Sequence, residues 1–309
     1  FEWIGSPEKF LYLIQKHDAS LTWMPNFAFE IYSLISRRIN ENYDLSSIRS
    51  WISCSEVCRP STLKNFAESM KDSGVDESKL QPCYAMAEAV FAVTQFETGI
   101  MPESHKLGND TFDIGDSVHF SDHGEEVISC GRPVNGIEIQ IRGVASEVLD
   151  EGRIGEIYIS GSHVFEEYFL LPELTKERFD GDWFGTRDMG FIMSGELYVI
   201  GRLDDSIIVQ GRNLLAHQIE SSVSQINGVK GGRVSAFGVD SNFGTEQLCI
   251  VYESDKNSEV PKDSVRKSIL ANVFSKIAVK PWKCIEVESG WLVKKSSGEI
   301  DRKGNKIKF

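Results

Sequence analysis

The first 95 residues alternate between helix-type and strand-type segments, and this alternation limits the possible folds more than any other feature. Ser6-Pro7-Glu8 is typical of a helix start, because proline tolerates the first turn and an acid favours the positive helix end. Helix-type segments also lie at 25–35 and 59–70, and short apolar runs typical of strands lie at 21–24, 48–53, 80–83 and 91–95. Such alternation predicts an α/β layered domain.

After residue 95 the pattern changes. Residues 96–128 are polar and rich in turn-forming residues, with little periodicity. Short alternating runs separated by Gly and Asp then predict a small β-barrel subdomain or curled sheet over residues 129–203. Its predicted strands lie at 137–141, 155–160, 190–193 and 197–200.

Residues 204–309 form a predicted compact α+β unit. Its predicted strands lie at 206–209, 233–239 and 247–252, and its predicted helices at 216–226 and 263–277. We place the domain boundary at the link 201–204. The predicted organisation is a large domain over 1–203, made of the α/β layer 1–95, the loop 96–128 and the subdomain 129–203, followed by a small domain over 204–309.

Composition excludes some functions. The net charge of −13 argues against nucleic acid or an anionic membrane as the main partner. No apolar run approaches the roughly 20 residues of a membrane span. The six cysteines form no C-x-x-C pair, which favours reduced thiols and a cytoplasmic location. The chain begins at Phe1 with residues typical of the middle of a domain, so we expect a fragment of a longer protein.

Two carboxylates lie in turn-like stretches of the segment 182–220. Asp188 lies between Arg187 and Met189-Gly190, and Asp204 follows Arg202 in a tight Gly-Arg-Leu-Asp-Asp link. An acid in a turn can accept both hydroxyls of a ribose. An arginine can bind the same sugar or its phosphate as a planar fork.

A third candidate segment, Tyr84-Ala85-Met86-Ala87-Glu88, directly follows a predicted strand. An aromatic ring offers a stacking face to adenine, and a glutamate one turn later can hold Mg²⁺ against phosphate oxygens. The alternative is a buried tyrosine beside a surface glutamate, because matches to short motifs are common.

Together these segments resemble the adenylate-forming superfamily, which includes acyl-CoA synthetases, peptide-synthetase adenylation domains and luciferases. Residues 182–204 resemble its Thr-Gly-Asp turn and Gly-Arg-x-x-Asp hinge, and residues 84–88 its Tyr-Gly-x-x-Glu segment. Ile-Ile-Val-Gln-Gly-Arg-Asn at 207–213 is closest to the fatty acyl-AMP ligases. The resemblance runs over essentially the whole chain. It covers only the second half of the family's architecture, because the Gly/Ser/Thr-rich phosphate loop has no counterpart.

The resemblance implies a role for each matched residue. Tyr84 would stack on the adenine of ATP or AMP, and Glu88 would hold Mg²⁺. Asp188 would bind the ribose hydroxyls, Arg202 would support ribose or phosphate, and Asp204 would be the hinge between two catalytic conformations.

Three further segments match less closely. Residues 53–56 resemble a Ser-Gly-Ala-Glu segment that lies along the adenine edge, although a strand end with a core thiol is the alternative. The implied nucleotide contacts outside the residues above are Cys54, Ser55, Glu56, Ala85 and Met86.

Residues 25–29 resemble a Pro-Asn-Phe-Ala-Tyr signature, which implies that Phe27 lines an acyl tunnel; a plain core aromatic is the alternative. Residues 130–133, Cys-Gly-Arg-Pro, match a segment that fixes a turn.

The polar segment 96–128 resembles, by position, an insertion of acyl-AMP ligases that blocks movement toward a CoA-using conformation. Its acidic and imidazole side chains match no metal-ligand spacing, so we expect a solvated loop rather than a metal site. These side chains are His105, His119, Asp122 and His123.

Residues 293–300 depart from the family at one position. They resemble the loop Pro-Lys-Thr-Ser-Ser-Gly-Lys-Ile, whose final lysine neutralises transition-state charge during adenylation. Glu299 stands at that position, where a carboxylate would repel phosphate. Lys294 and Lys295 are candidates to replace the lysine, although a solvated basic loop is the alternative.

The implied reaction is that of an AMP-forming acyl ligase. A fatty or other carboxylic acid would react with ATP to give acyl-AMP and pyrophosphate, and the acyl group would pass to a phosphopantetheine thiol. An acyl carrier protein is favoured over CoA as the acceptor. The alternatives are an acyl-CoA synthetase and a non-catalytic module that binds a nucleotide or a carrier protein. Because it lacks the phosphate loop, the 309-residue chain alone is expected not to turn over ATP.

Overall fold

The computed structural model describes residues 6–36, 43–108, 112–209, 212–241, 246–295 and 299–309. Parts of three segments discussed above, at 109–111, 210–211 and 296–298, therefore lie outside the described residues. The chain divides into two compact units. Unit 1 comprises Phe1–Gly108 and Ile114–Ile200, and unit 2 comprises Asn109–Asp113 and Gly201–Phe309. Among the described residues, no helix combines the length and the apolar character needed to cross a bilayer.

Unit 1 begins with a three-stranded parallel sheet in the order β1-β2-β3. Its strands are β1 (Leu21–Met24), β2 (Ser50–Ser53) and β3 (Leu80–Pro82), and its helices are α1 (Pro7–His17), α2 (Asn26–Ile35) and α3 (Pro60–Met70). The central strand β2 is buried along its whole length, as expected for a parallel strand between two neighbours. Because the strands are parallel, their carboxyl ends meet at one edge of the sheet.

Helix α3 shows how sequence pattern and packing agree in this layer. Proline occupies its first position, where the missing N–H has no helical partner. Its buried side chains recur at helical spacing: Leu63, Phe66, Ala67 and Met70. The ring of Phe66 meets those of Phe29 and Trp51 edge-on, with centroids 5.0 and 5.2 Å apart. These contacts hold α2 and α3 against the sheet in one core.

The rest of unit 1 is mostly antiparallel. Its elements are β4 (Tyr84–Ala85), β5 (Ala92–Gln95), β6 (Ser104–Leu107), β7 (Glu125–Ile128), β8 (Arg132–Pro133), β9 (Ile137–Arg142), β10 (Gly155–Gly161), α4 (Pro172–Arg178), β11 (Phe179–Asp180), β12 (Trp183–Met193) and β13 (Glu196–Arg202). Strands β4, β5 and β8 form one sheet and β6 pairs with β7. The largest sheet has the order β11-β12-β10-β9, with β13 also paired to β12.

The structure corrects two sequence predictions for unit 1, and it selects between the two forms predicted for residues 129–203. Among the described strands the five-stranded order has free ends, so this subdomain is an open sheet, the second predicted form, rather than a closed barrel. The predicted strand 190–193 begins seven residues earlier, at Trp183, because the aromatic pair before Asp188 continues the ladder with β10. The polar segment 96–128 is not wholly loop, since residues near its two ends pair as β6 and β7.

Unit 2 has its own α+β core. Its elements are a 3₁₀ turn (Leu203–Asp205), β14 (Ser206–Val209), β15 (Arg212–Leu215), α5 (Ala216–Ser224), β16 (Val229–Asp240), β17 (Glu246–Ser254), α6 (Lys262–Ile277), β18 (Lys283–Val287) and α7 (Arg302–Lys308). Strand β17 lies between β16, which is antiparallel to it, and β18, which is parallel. Apolar residues of α5 and α6 pack on this sheet in one cluster.

We predict that Phe66→Ala lowers the free energy of unfolding of the core formed by β1–β3 and α1–α3 by about 3–5 kcal/mol, because a fully buried aromatic ring leaves a cavity. Urea unfolding followed by tryptophan fluorescence measures the change. Phe169→Ala is the matched control, since its side chain is 83% exposed and should change stability by less than about 0.5 kcal/mol. Equal effects of the two substitutions would contradict this assignment of the core.

Candidate functional site

The segments that the sequence singled out follow the carboxyl ends of the three parallel strands. The backbone N–H of Cys54, just after β2, donates to the carbonyl of Met24 at 3.1 Å. The N–H of Cys83, just after β3, donates to the carbonyl of Ser53 at 2.8 Å. These bonds extend the sheet past its strands, so residues 53–56 and 84–88 start from the same edge, where α/β sheets bind ligands.

Tyr84 and Asp188 are brought together from distant parts of the sequence. The phenol of Tyr84 donates a hydrogen bond to Oδ2 of Asp188 over 2.6 Å. Tyr84 is buried and Asp188 is half-buried. The backbone N–H of Asp188 donates to Oγ1 of Thr186 at 3.0 Å. A short phenol–carboxylate bond in a partly desolvated position fixes the carboxylate beside the edge of the aromatic ring.

The sequence suggested that Asp188 lies in a turn, but the structure does not place it in one. It lies within β12, at an irregularity where the pairing with β10 shifts between Glu156 and Tyr158. Arg187, the residue before it, has a φ of 63°. Two extra residues in one strand bend it and redirect the neighbouring side chains, which is how a strand residue can serve a site.

Glu88 is held by a residue that sequence reasoning missed. Its Oε1 accepts a hydrogen bond from the phenol of Tyr168 at 3.0 Å, and its backbone carbonyl accepts one from the N–H of Phe165 at 2.8 Å. The rings of Phe165 and Tyr168 pack edge-on with centroids 4.7 Å apart. In the sequence, the contact could have been suspected only from two aromatic residues, Phe165 and Tyr168, that follow Gly161 at the end of β10. The loop after β10 therefore helps to build this site.

Non-glycine residues with positive φ lie in or beside three segments: 53–56, 84–88 and the stretch around Asp188. Ser55 has a φ of 69°, and Arg187 precedes Asp188 with 63°. Val90, two residues after Glu88, has a φ of 61° and ψ of −54°, and the N–H of Phe91 donates to the carbonyl of Ala89 at 2.6 Å. That is a γ-turn of the strained type. Strained backbone of this kind clusters at functional sites.

Glu56 has a structural partner. Its Oε2 accepts the N–H of Phe27 at 2.9 Å, at the start of α2. The capping position of α2 is Pro25, which offers no side-chain hydrogen bond, so a carboxylate from another segment satisfies this end of the helix. Phe27 is half-buried there. Nucleotide contact by Glu56 and tunnel lining by Phe27 stay predictions, as do the contacts of Cys54, Ser55, Ala85 and Met86.

Four buried thiols surround this edge of the sheet: Cys54, Cys58, Cys83 and Cys130. Burial raises the pKa of the Cys58 thiol from 9.0 to about 12, although a hydrogen bond to Ser53 lowers it in part. Burial likewise raises the pKa of Cys83 to about 12, with Cys54 and Cys58 adding to the shift. Neutral buried thiols of this kind are poor nucleophiles, so these residues act as small apolar groups.

The described part of the chain contains no group of three His, Cys, Asp or Glu residues arranged to hold a metal ion. His105 is not in a solvated loop. It lies in β6, where its ring packs against Phe120 and Tyr198 with centroids 4.6 and 5.8 Å away.

A cleft of about 680 Å³ in unit 1 lies beside this site rather than at it. Its lining includes Val164, Phe165, Lys176 and Phe179, and excludes Tyr84 and Asp188. Phe165, in the lining of this cleft, donates its N–H to the carbonyl of Glu88.

In unit 2, Arg202 ends β13 and Asp204 lies in the 3₁₀ turn. Nη2 of Arg202 and Oδ2 of Asp204 are 4.0 Å apart, and both side chains are about half exposed. Such a pair contributes at most about 1 kcal/mol.

The residues on either side of 296–298 pair with each other. The N–H of Lys295 donates to the carbonyl of Glu299 at 2.8 Å, and Lys294 and Ile300 form an antiparallel bridge. Nζ of Lys295 lies 3.3 Å from Oε2 of Glu299. The charge of the carboxylate at the predicted lysine position is therefore offset by a neighbouring cation.

The shifted thiol pKa values predict how stability depends on pH. A thiol that titrates at about 12 when folded and at 9.0 when unfolded stabilises the fold fully below pH 9. As the pH rises from 9 to 12, only the unfolded chain loses these protons, so stability falls. At pH 10 the loss should be on the order of 1 kcal/mol per thiol.

Urea unfolding of the wild-type chain and of Cys58→Ala at pH 8 and pH 10 measures this loss. The variant should lose less stability between the two pH values, because one shifted group is gone, and the difference isolates the thiol from titrating tyrosines. Identical losses in the two proteins would contradict the assignment.

A family model described as "AMP-binding enzyme" matches residues 4–169. A "Long-chain-fatty-acid--AMP ligase FadD26" of Mycobacterium marinum is 29% identical over 96% of this chain and 54% of its own length. A "Putative acyl-CoA synthetase" of Caulobacter vibrioides is 27% identical over 99% of this chain and 54% of its own. A solved structure of "McyG A-PCP complexed with phenylalanyl-adenylate" superposes with a TM-score of 0.79 at 28% identity, covering 99% of this chain and 53% of that one. The chain thus spans about half the length of the proteins it matches.

Proposed function

The chain belongs to the AMP-binding enzyme family, and from that premise we propose that it is part of an AMP-forming acyl ligase that activates a fatty or other carboxylic acid. The hydrogen bond between Tyr84 and Asp188 carries this proposal. It places an aromatic ring and a carboxylate side by side at the sheet edge where a nucleoside monophosphate would bind. Glu88 follows Tyr84 within one turn on the same edge.

Each group has a role that its chemistry supports. The ring of Tyr84 would stack on adenine, while its phenol orients Asp188. Asp188 would accept the ribose hydroxyls, and a carboxylate already held by a donor loses less freedom on binding. Arg202 would support ribose or phosphate, and Asp204 would be the swivel of the small domain 204–309.

Glu88 would hold Mg²⁺. A hard cation prefers carboxylate oxygens, and Glu88 is half-buried and steadied through Tyr168 and the N–H of Phe165. When bound, the ion would neutralise phosphate charge. Tyr168 acts by orienting the carboxylate.

The acceptor of the acyl group is proposed to be a phosphopantetheine thiol on a carrier protein. Two similarities support this: one relative is named an AMP ligase, and one solved structure combines an adenylate with "A-PCP". Asp113, from the insertion-like segment, accepts a hydrogen bond from Nδ2 of Asn213 over 2.6 Å within unit 2. Part of the insertion-like segment therefore belongs to unit 2.

An acyl-CoA synthetase is the second candidate, favoured by the name of the Caulobacter relative. Thioester formation with free CoA by the full-length protein would select it. A non-catalytic binding module is the third candidate, favoured by the pairing of Glu299 with Lys295. Binding of AMP or a carrier protein without any turnover by the full-length protein would select that one.

We predict that the 309-residue chain binds AMP about tenfold more tightly than 2′-deoxy-AMP, because Asp188 accepts a ribose hydroxyl through a charge-assisted bond. Asp188→Asn should abolish most of this preference. Tyr84→Phe keeps the stacking ring and should reduce the preference only in part. Isothermal titration calorimetry measures the affinity of each of the three proteins for both nucleotides.

Asp182→Asn is the matched control, since Asp182 is an exposed carboxylate in the turn before β12. It should leave the ribose preference unchanged. If Asp188→Asn keeps the wild-type preference, or if wild-type chain binds neither nucleotide, the proposed nucleotide site is wrong.

We also predict that Glu299→Lys raises the adenylation rate of the full-length protein by roughly tenfold or more, because a cation replaces an anion near the reacting phosphate. Pyrophosphate exchange with a fatty acid measures the rate. Glu288→Lys makes the same charge change at an exposed position of unit 2 and should have no effect. Equal rates in wild type and Glu299→Lys would remove the catalytic assignment of this position.

A further inference from the structure

Arg302, at the start of α7, joins two distant segments of unit 2. Its Nε and Nη2 donate to the two carboxylate oxygens of Glu220 at 2.9 and 2.7 Å. Its Nη1 donates to Oδ2 of Asp205 at 2.5 Å. One guanidinium therefore binds α5 through a bidentate fork and the 3₁₀ turn Leu203–Asp205 through its remaining arm. We call that turn the hinge turn.

The Arg302–Glu220 pair is largely buried, so each charge depends on the other for its partner. Glu220 is 7% exposed, and its Oε1 also accepts the N–H of Ala236 at 2.9 Å. Burial raises the pKa of Glu220, against the lowering effect of Arg302. A buried pair of this geometry is costly to break, because one desolvated charge would be left without its partner. Arg302 is thereby fixed relative to the core of unit 2.

Asn305, one turn further along α7, binds the chain before the predicted lysine loop. Its Oδ1 accepts the N–H of Val293 at 2.8 Å, and its Nδ2 donates to the carbonyl of Val293 at 3.0 Å. Asn305 is fully buried. Both polar groups of one backbone residue are thus held by one amide, as a neighbouring strand would hold them.

The two sides of the loop meet below its tip. We call residues 293–295 and 299–301 the loop base. Besides the Lys295–Glu299 bond, the N–H of Asp301 donates to the carbonyl of Val293 at 3.1 Å. Asp301 also accepts the N–H of Gly304 at 2.8 Å and so starts α7. The loop base, α7 and the hinge turn form one continuous chain of hydrogen bonds.

We infer that Arg302 and Asn305 are positioning residues that make the hinge turn and the loop base move as one rigid part of unit 2. Asn305 clamps one side of the loop base, and Arg302 ties the other side to Asp205. A change of conformation at the hinge turn would then be passed to Lys294, Lys295 and Glu299 without loss.

The functional consequence rests on the proposed function, because only a two-step ligase needs a swivel that delivers this loop. The rigidity itself does not. It concerns contacts within unit 2 and can be measured without nucleotide, so its failure is distinguishable from failure of the AMP-binding assay.

Hydrogen exchange of the 309-residue chain, followed by NMR or mass spectrometry, tests the coupling. Arg302→Gln would leave the buried carboxylate of Glu220 without its cation, so Asp205→Ala is the primary variant, because it removes only the acceptor of the arm to the hinge turn. It should speed exchange about tenfold at the amide of Ser206, which is bonded to Leu203. It should also speed exchange several-fold at the amides of Lys295 and Asp301.

Two comparison variants sharpen the result. Asp205→Glu keeps the charge and should restore most of the protection, and Lys303→Gln, which removes an exposed cation from the same helix, should change nothing. Faster exchange at Ser206 with an unchanged loop base would overturn the inference, since the two parts would then be independent. Equally faster exchange in β17 would also overturn it, because the effect would be a general loss of stability.

Discussion

The candidate nucleotide site depends on one interaction, the hydrogen bond from Tyr84 to Asp188. It joins the carboxyl edge of the parallel layer to the middle of the antiparallel sheet, so it exists only if both layers have formed correctly. It also requires the irregularity in β12, which directs Asp188 toward the tyrosine. A local pairing of two polar groups thus reports on long-range architecture, and under the proposed function it would give a nucleoside two recognition groups already in place.

The sequence predicted the order of elements well where one local pattern decides them. The parallel layer followed from apolar runs between capped helices, and the resemblance to an adenylate-forming family is confirmed by the family match. What the sequence could not predict depends on distant contacts. The bulge at Arg187 reflects pairing with β10, the role of Tyr168 depends on a loop that folds back to Glu88, and Glu56 caps a helix 29 positions away. The first and the last of these leave no signal in the neighbouring residues, and the aromatic residues after β10 alone did not show that Tyr168 binds Glu88.

Unit 2 shows how one substitution changes the electrostatics of a loop. A lysine at position 299 would place two cations side by side, and their repulsion would favour exposure of at least one. With Glu299, Lys295 finds a partner 3.3 Å away across the loop base, and the net charge of the pair is zero. Because both side chains are partly exposed, the pair is weak and a strongly charged ligand could compete for Lys295.

The hydrogen bond between Tyr84 and Asp188 and the pairing of Lys295 with Glu299 would bear on catalysis in different ways. Tyr84, Asp188 and Glu88 lie in unit 1 and would contact groups present in the ground state, so they favour binding of substrate and transition state alike. If the proposed roles hold, the loop position in unit 2 would act mainly on charge that develops during the reaction. A chain with the first set intact and the second altered would then keep nucleotide affinity while losing rate. Under the proposal, affinity and turnover would depend on separate units, so the presence of one would not establish the other.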